Sequence, residues 1–147
     1  MYSVTKRLSA FSAAHRLIQG YQGKCQHLHG HNYQVDVTIS SPRLDRFGFV
    51  IDFDRIKSIC NHWIQNNWDH RTLVSEADHA LIAFLESEQQ AHFILPQPNT
   101  SAEALAAYLF EVFSGPIRAV QDNVLTLDAV IVHESLTSQA RYQGASA

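Results

Sequence analysis

Apolar and polar positions alternate most regularly between Asn32 and Ile39. Tyr33, Val35, Val37 and Ile39 fall on one side, and Asn32, Gln34, Asp36 and Thr38 on the other. That period of two predicts a half-buried strand, ended by Ser41-Pro42. Residues Tyr2 to Ser12 read as an earlier strand, and Leu17 to Lys24, with two glycines, as a loop. Phe47 to Ile51 offers a further short strand after a turn. The period then changes: Ile56, Ile59, Cys60, Trp63 and Ile64 share one face at helical spacing, which predicts a helix over Phe53 to Trp68 with Asp52 as N-cap. A second helix is expected from about Ser101 to Phe113. Its apolar stripe is Leu105, Tyr108, Leu109, Val112 and Phe113, Thr100-x-x-Glu103 supplies a capping box, and Gly115-Pro116 stops it. Between the helices, Glu76 to Leu85 reads as a short helix and His92 to Leu95 as a strand. Val124 to Glu134 is almost continuously apolar and β-prone, the pattern of a central strand, and Ser135 to Tyr142 supplies an edge strand. The order predicts an α+β domain with its helices on one face of an antiparallel sheet.

Nothing divides the 147 residues, so one domain spanning 1–147 is expected, large enough to bury a core without disulfides. Apolar residues at 46% and charged residues at 17% are ordinary for a globular chain, and no apolar run reaches the roughly 20 residues of a membrane span. The first residues are polar and alternating, unlike a secretory signal. With only Cys25 and Cys60, the reducing cytoplasm is the expected compartment. A net charge of −3 without a basic run argues against nucleic acid as the main partner.

Histidine changes the picture. There are nine, and His15, His27, His29 and His31 all fall early in the chain. In Cys25-Gln-His-Leu-His29-Gly-His31, the last two imidazoles project to one side of an extended segment if His31 opens the second strand. Antiparallel pairing of the first two strands brings His15, at the end of the first, beside them. Three neutral imidazoles with an open fourth position are the donor set of a catalytic zinc. A structural Cys-plus-His zinc site using Cys25 is the competing arrangement, and His27 points to the other side. Cys60 lies on the apolar helical stripe and reads as core. Asp69-His70 reads by spacing as a solvated helix end, and Thr100, Ser101 and Glu103 as a cap. Glu134 shares the parity of Val130 and Val132, so its carboxylate either reaches solvent at the strand end or needs a partner.

Taken in order, Phe11-Ser-Ala-Ala-His15-Arg-Leu, Cys25-x3-His29-Gly-His31-Asn-Tyr, Val50-Ile-Asp52-Phe, Asp69-His70, Pro98-Asn-Thr100-Ser-Ala-Glu103 and Glu134-Ser resemble the 6-pyruvoyl-tetrahydropterin synthase family over nearly the whole chain. The three residues between Cys25 and His29 are similar to the bacterial 6-carboxytetrahydropterin synthases of queuosine biosynthesis. The resemblance implies a tunnelling fold (T-fold), a four-stranded antiparallel sheet with two main helices on one face, assembled as a homo-oligomer, a trimer or hexamer. It implies one zinc ion per chain on His15, His29 and His31, with Cys25 as base and Asp69 and His70 as its proton relay. Glu134 would anchor the pterin, with Thr100 and Ser101 assisting, and in some descriptions Glu134 joins the relay.

The implied reaction converts 7,8-dihydroneopterin triphosphate and water to 6-carboxy-5,6,7,8-tetrahydropterin, acetaldehyde and triphosphate. Pyruvoyl-tetrahydropterin formation and side-chain cleavage toward folate are the alternatives on the same site. A non-catalytic zinc or pterin-binding module is the alternative outside enzymology. The chain departs from its relatives at Val74, where asparagine is common, and in Ser75 to Gln97, which is longer than in compact bacterial members and carries Glu76, Asp78, Glu86 and Glu88.

Overall fold

The computed structural model describes residues 1–120 and 124–145. Its sheet has seven strands: β1 (Tyr2–Arg7), β2 (Phe11–His15), β3 (His29–Ser41), β4 (Arg71–Ser75), β5 (His92–Leu95), β6 (Thr126–His133) and β7 (Gln139–Tyr142). The long strand β3 organises the rest. One of its edges takes β2 along its first half and β1 along its second; the other edge takes β6, which in turn pairs with β7. All these pairings are antiparallel, as expected. The sheet nevertheless exceeds the expected four antiparallel strands: the first is divided into β1 and β2, which makes five, and β4 adds parallel to β2 and β5 parallel to β4. A parallel pair needs a crossover, and helix α3 (His79–Ser87) supplies it between β4 and β5. The stretch His92 to Leu95 is thus a sheet strand over the range its pattern indicates.

Two other expectations are revised. Tyr2 to Ser12 is not one strand. Arg7 faces Asp36 while Phe11 faces Tyr33, so Leu8 to Ala10 stand opposite only Gln34 and Val35. One extra residue on the first strand is a bulge, and it re-phases the chain so that Phe11, Ala13 and His15 turn inward. Phe47 to Ile51 forms no strand. The Asp45 carboxylate accepts from the backbone N–H of both Phe47 and Phe49, and Gly48 takes φ +84°, so side-chain hydrogen bonds hold a compact turn instead.

The helical run after Asp52 comprises α1 (Phe53–Ile56), a wide π-type turn (Lys57–Asn61) and α2 (His62–Asn67), with the Asp52 side chain capping Asp54 N–H as expected. Its buried residues Ile56, Cys60, Ile64 and Trp68 recur every fourth position. A 3.6-residue helix would rotate such a row away from the sheet, and the wide turn reduces that drift. The longest helix, α4 (Ala102–Arg118), is capped by Ser101, whose hydroxyl accepts from Ala104 N–H. Thr100 is not the cap, because its hydroxyl is engaged elsewhere. Nor does Gly115-Pro116 end the helix. Ile117 is fully buried, and packing one more turn onto the core outweighs the local cost of proline. Helices α1, α2 and α4 cover the apolar face of β3, where Tyr33, Val35, Val37 and Ile39 have no exposed surface. No helix among the described residues is long and apolar enough to cross a membrane.

On the opposite face of β3, Asp36 receives both Nε and Nη2 of Arg7 at 2.8 and 2.9 Å and hydrogen-bonds His133 Nε2 at 2.8 Å. The Arg7 hydrogen bonds hold the Asp36 carboxyl below the ordinary range, against burial, and His133 adds to them. A carboxyl whose folded pKa is depressed stabilises the fold above its unfolded value of about 3.9, and that stabilisation is lost as pH falls through the folded value. Asp36→Asn should therefore melt below the wild type at pH 7. In thermal melts across pH, the gap should close below about pH 4.

Candidate metal centre

The register of β2 against β3 builds the site. His15 pairs with His29, and Ala13 with His31. Since His29 and His31 are two apart on one strand, both imidazoles leave the sheet on the side where His15 sits. The ring centroids lie 4.7 Å (His15–His29), 5.2 Å (His15–His31) and 4.9 Å (His29–His31) apart. Strand β3 opens at His29 rather than His31, so both ligand candidates stand on regular backbone. Gly30 between them allows a close approach of the strands: a β-carbon there would lie 3.2 Å from the Ala13 carbonyl oxygen, a tight contact.

Each ring exposes one nitrogen to its neighbours. The Nε2 atoms of His15, His29 and His31 are all buried without a hydrogen-bond partner, and the three residues' ligand atoms lie within 4.8 Å of one another. His15 Nδ1 donates to the Thr100 carbonyl at 2.8 Å, and His29 Nδ1 donates to the His27 carbonyl at 2.7 Å. A carbonyl only accepts, so both rings carry a proton on Nδ1, which leaves Nε2 as the atom turned toward the cluster centre. Burial lowers the pKa of His15 and of His31. Repulsion between the rings adds to this, while the Thr100 hydrogen bond at His15 and the nearby Glu134 at both work against it. Three inward-facing imidazole nitrogens left without a hydrogen-bond partner in the protein fit a divalent metal of the zinc type. Cys25 is not a member of the group of ligand atoms found among the described residues. The competing Cys-plus-His arrangement therefore has no geometric support.

The other candidates separate into two places. Cys25 sits half-buried in a short helical turn (Lys24–Gln26), and its carbonyl accepts from Leu17 N–H, which ties this loop to the chain leaving His15. Glu134 lies just past β6, with one carboxylate oxygen 3.6 Å from His31 Nε2. Tyr33, next inward on the same face of β3, is fully buried with an unpartnered hydroxyl. Burial raises its pKa well above the phenol range, and the charges of Glu134 and Cys25 add to the rise.

Asp69 and His70 are elsewhere. Asp69 Oδ1 accepts from Ser12 N–H at 3.0 Å and lies 2.9 Å from His70 Nδ1. His70 takes φ +59° and donates its N–H to the Ser12 carbonyl. Burial opposes ionisation of Asp69, but the Ser12 and His70 hydrogen bonds hold its carboxyl below the ordinary range. His70 borders a cleft of about 540 Å³ with Ser12, Ala13, Ala14, Gly30, His31 and Asn32. Within one chain, no hydrogen bond or ion pair among the described residues joins this pair to Cys25, Glu134 or the three histidines. Ser101 caps α4. Thr100 is the partner that residue types could not reveal, because it holds His15 through a main-chain carbonyl that every residue possesses.

Comparison with known proteins bears on this geometry. The model of the family described as 6-pyruvoyl tetrahydropterin synthase matches residues 3–145. The 6-carboxy-5,6,7,8-tetrahydropterin synthase of Haemophilus influenzae is 32% identical over 97% of this chain and 99% of its own length. The enzyme of that name from Rickettsia bellii is 36% identical over 74% of this chain and 78% of its own. Among solved structures, an uncharacterized protein of Wolinella succinogenes superposes with a TM-score of 0.83 at 20% identity, covering 98% of each chain. The 6-pyruvoyl tetrahydropterin synthase of Caenorhabditis elegans gives 0.65 at 26% identity over 99% of this chain and 98% of that one. With a family model matched from end to end and relatives above 30% identity at full length, the chain belongs to the 6-pyruvoyl tetrahydropterin synthase family.

Proposed function

We propose that this protein is a zinc-dependent 6-carboxytetrahydropterin synthase. It would convert 7,8-dihydroneopterin triphosphate and water to 6-carboxy-5,6,7,8-tetrahydropterin, acetaldehyde and triphosphate, a step toward queuosine. The observation that carries the reading is the set of three buried, unpartnered Nε2 atoms with the Glu134 carboxylate at their rim. The relatives named for this activity support it. His15, His29 and His31 would hold the zinc, which when bound supplies a Lewis acid for the oxygens of the substrate side chain.

The remaining chemistry falls to the chain. Cys25, on the loop beside the ligands, would take the proton from carbon as thiolate. The Glu134 carboxylate would accept the paired N–H donors of the pterin edge, and Thr100 and Ser101 would border the pterin pocket. Asp69, 2.9 Å from His70 Nδ1, would orient the His70 ring as its partner in a proton relay. Because no hydrogen bond or ion pair among the described residues joins that pair to the histidine cluster of its own chain, it would serve the site of a neighbouring copy. Strand β1 pairs only with β3, and β7 only with β6, among the described residues. Each has an open edge on which a homotrimer or hexamer could close.

Incubation with dihydroneopterin triphosphate followed by mass spectrometry should show the 6-carboxy product with acetaldehyde. A pyruvoyl product or a side-chain-cleaved pterin would overturn the assignment. The purified protein should carry about one zinc per chain, and His29→Ala should lose most of it. Full retention of zinc in that variant would exclude His29 as a ligand. Cys25→Ala should keep zinc while turnover falls by about 10²–10⁴-fold. Cys60→Ser, at a fully buried position, should cost about 1–3 kcal/mol of stability and leave turnover intact.

A further inference from the structure

The chain leaving His15 is fastened at every residue. His15 Nδ1 donates to the Thr100 carbonyl at 2.8 Å, and the Thr100 hydroxyl donates to the Arg16 carbonyl at 3.2 Å. The Asn99 side chain brackets Ile18, its Oδ1 accepting from Ile18 N–H at 3.1 Å and its Nδ2 donating to the Ile18 carbonyl at 3.2 Å. The Arg16 guanidinium meets Asp78 with two hydrogen bonds of 2.7 Å, and the Asp78 carboxylate also caps α3 by accepting from Leu81 N–H. Asp78 is 6% exposed and Thr100 1%. Asp78 belongs to Ser75–Gln97, the stretch whose length and acidity the proposed chemistry leaves unused.

The structure assigns Asp78, Asn99 and Thr100 a common task as positioning residues, forming a brace that aims His15 Nε2 at the metal position. The assignment rests on the three-histidine reading of the site. Its logic is geometric. A planar imidazole pinned at Nδ1 has its Nε2 direction set by the acceptor, here a main-chain carbonyl. That carbonyl stays in place only while residues 98–100 keep their position against residues 15–18. Asn99 and the Thr100 hydroxyl clip these two segments together from one side. Asp78 holds Arg16 from the other, so the residue beside the ligand is anchored by its side chain and its main chain at once. His31 stands within β3 and needs no such device, and His29, the first residue of β3, has its own Nδ1 pin on the His27 carbonyl. His15, the last residue of β2, is where the sheet stops supporting a ligand. Metal–nitrogen distances tolerate errors of about 0.2 Å, so a loosened strand end is felt as lost affinity.

The test is zinc affinity measured by chelator competition, together with the absorption spectrum of the cobalt-substituted protein. Thr100→Val, Asn99→Ala and Asp78→Asn should each weaken zinc binding about 10–100-fold and alter the cobalt spectrum. Thr100→Ser keeps the hydroxyl and should stay near the wild-type affinity and spectrum. Leu109→Ala, in the buried face of α4, controls for general destabilisation and should lower the melting temperature without changing either readout. Wild-type affinity in both Thr100→Val and Asp78→Asn would overturn the brace while leaving the three-histidine site intact, as would an equal loss in Leu109→Ala. A wild-type protein that takes up no zinc would overturn the site itself and the brace with it.

Discussion

The antiparallel register that sets His15 opposite His29 is the constraint on which the rest of the molecule depends. A slip of one residue would turn one strand's inward set outward, so the histidines would meet only if Phe11 and Tyr33 left the core with them. Core packing and site geometry are therefore one requirement. Phe11 stacks on Tyr33 at 5.4 Å between centroids, and Phe11 in turn contacts Trp68 at the end of the helical run. The bulge at Leu8–Ala10 is the price of joining a strand phased for the far half of β3 to one phased for the histidines. Its fully regular alternative would have placed Ser12 and Ala14 inward.

This arrangement holds three imidazole nitrogens together out of water with no partner in the protein. Burying a polar group unsatisfied costs about 1–3 kcal/mol each. The molecule sustains that cost beside a core of Tyr33, Leu105, Leu109 and Trp68, all without exposed surface. Ligand binding then adds to folding, because a group that binds only the native chain stabilises it. The opposite face of β3 shows the contrast. There Asp36 has Arg7 and His133 as partners, so its charges are satisfied within the chain and ask for nothing from outside.

Much of this was legible in residue order. The alternation from Asn32 to Ile39 marks the central strand, His92 to Leu95 marks β5, and the spacing of His29 and His31 puts two nitrogens on one side. The parallel extension was less legible, because β4 is five residues long and its apolar run carries no mark of direction. The helix cap moved from Thr100 to Ser101 because a capping box describes local chemistry only, whereas the Thr100 hydroxyl is taken by Arg16, 84 residues away in sequence. Pro116 misled for a similar reason. A local helix breaker was set against long-range burial of Ile117, and burial prevailed. Asp69 and His70 were recognisable as a pair, but which face of the sheet they serve is a property of β4's position, not of their spacing.

That last point bears on how the sheet is used. β2 is bordered by β3 on one side and β4 on the other, so it has two neighbours and two faces in use at once. Its inward residues carry the metal-capable cluster. The N–H and carbonyl of its outward residue Ser12 hold Asp69 and His70. A five-residue strand thus carries the metal-capable histidine on its inward side and holds the Asp69–His70 pair through its main chain. In the proposed function, a neighbouring copy would bring its own Asp69–His70 pair to the histidine cluster. His70 takes the left-handed conformation with its N–H on the Ser12 carbonyl. An ordinary continuation of the helix into β4 would not need a φ of +59° at a side chain that is 80% exposed.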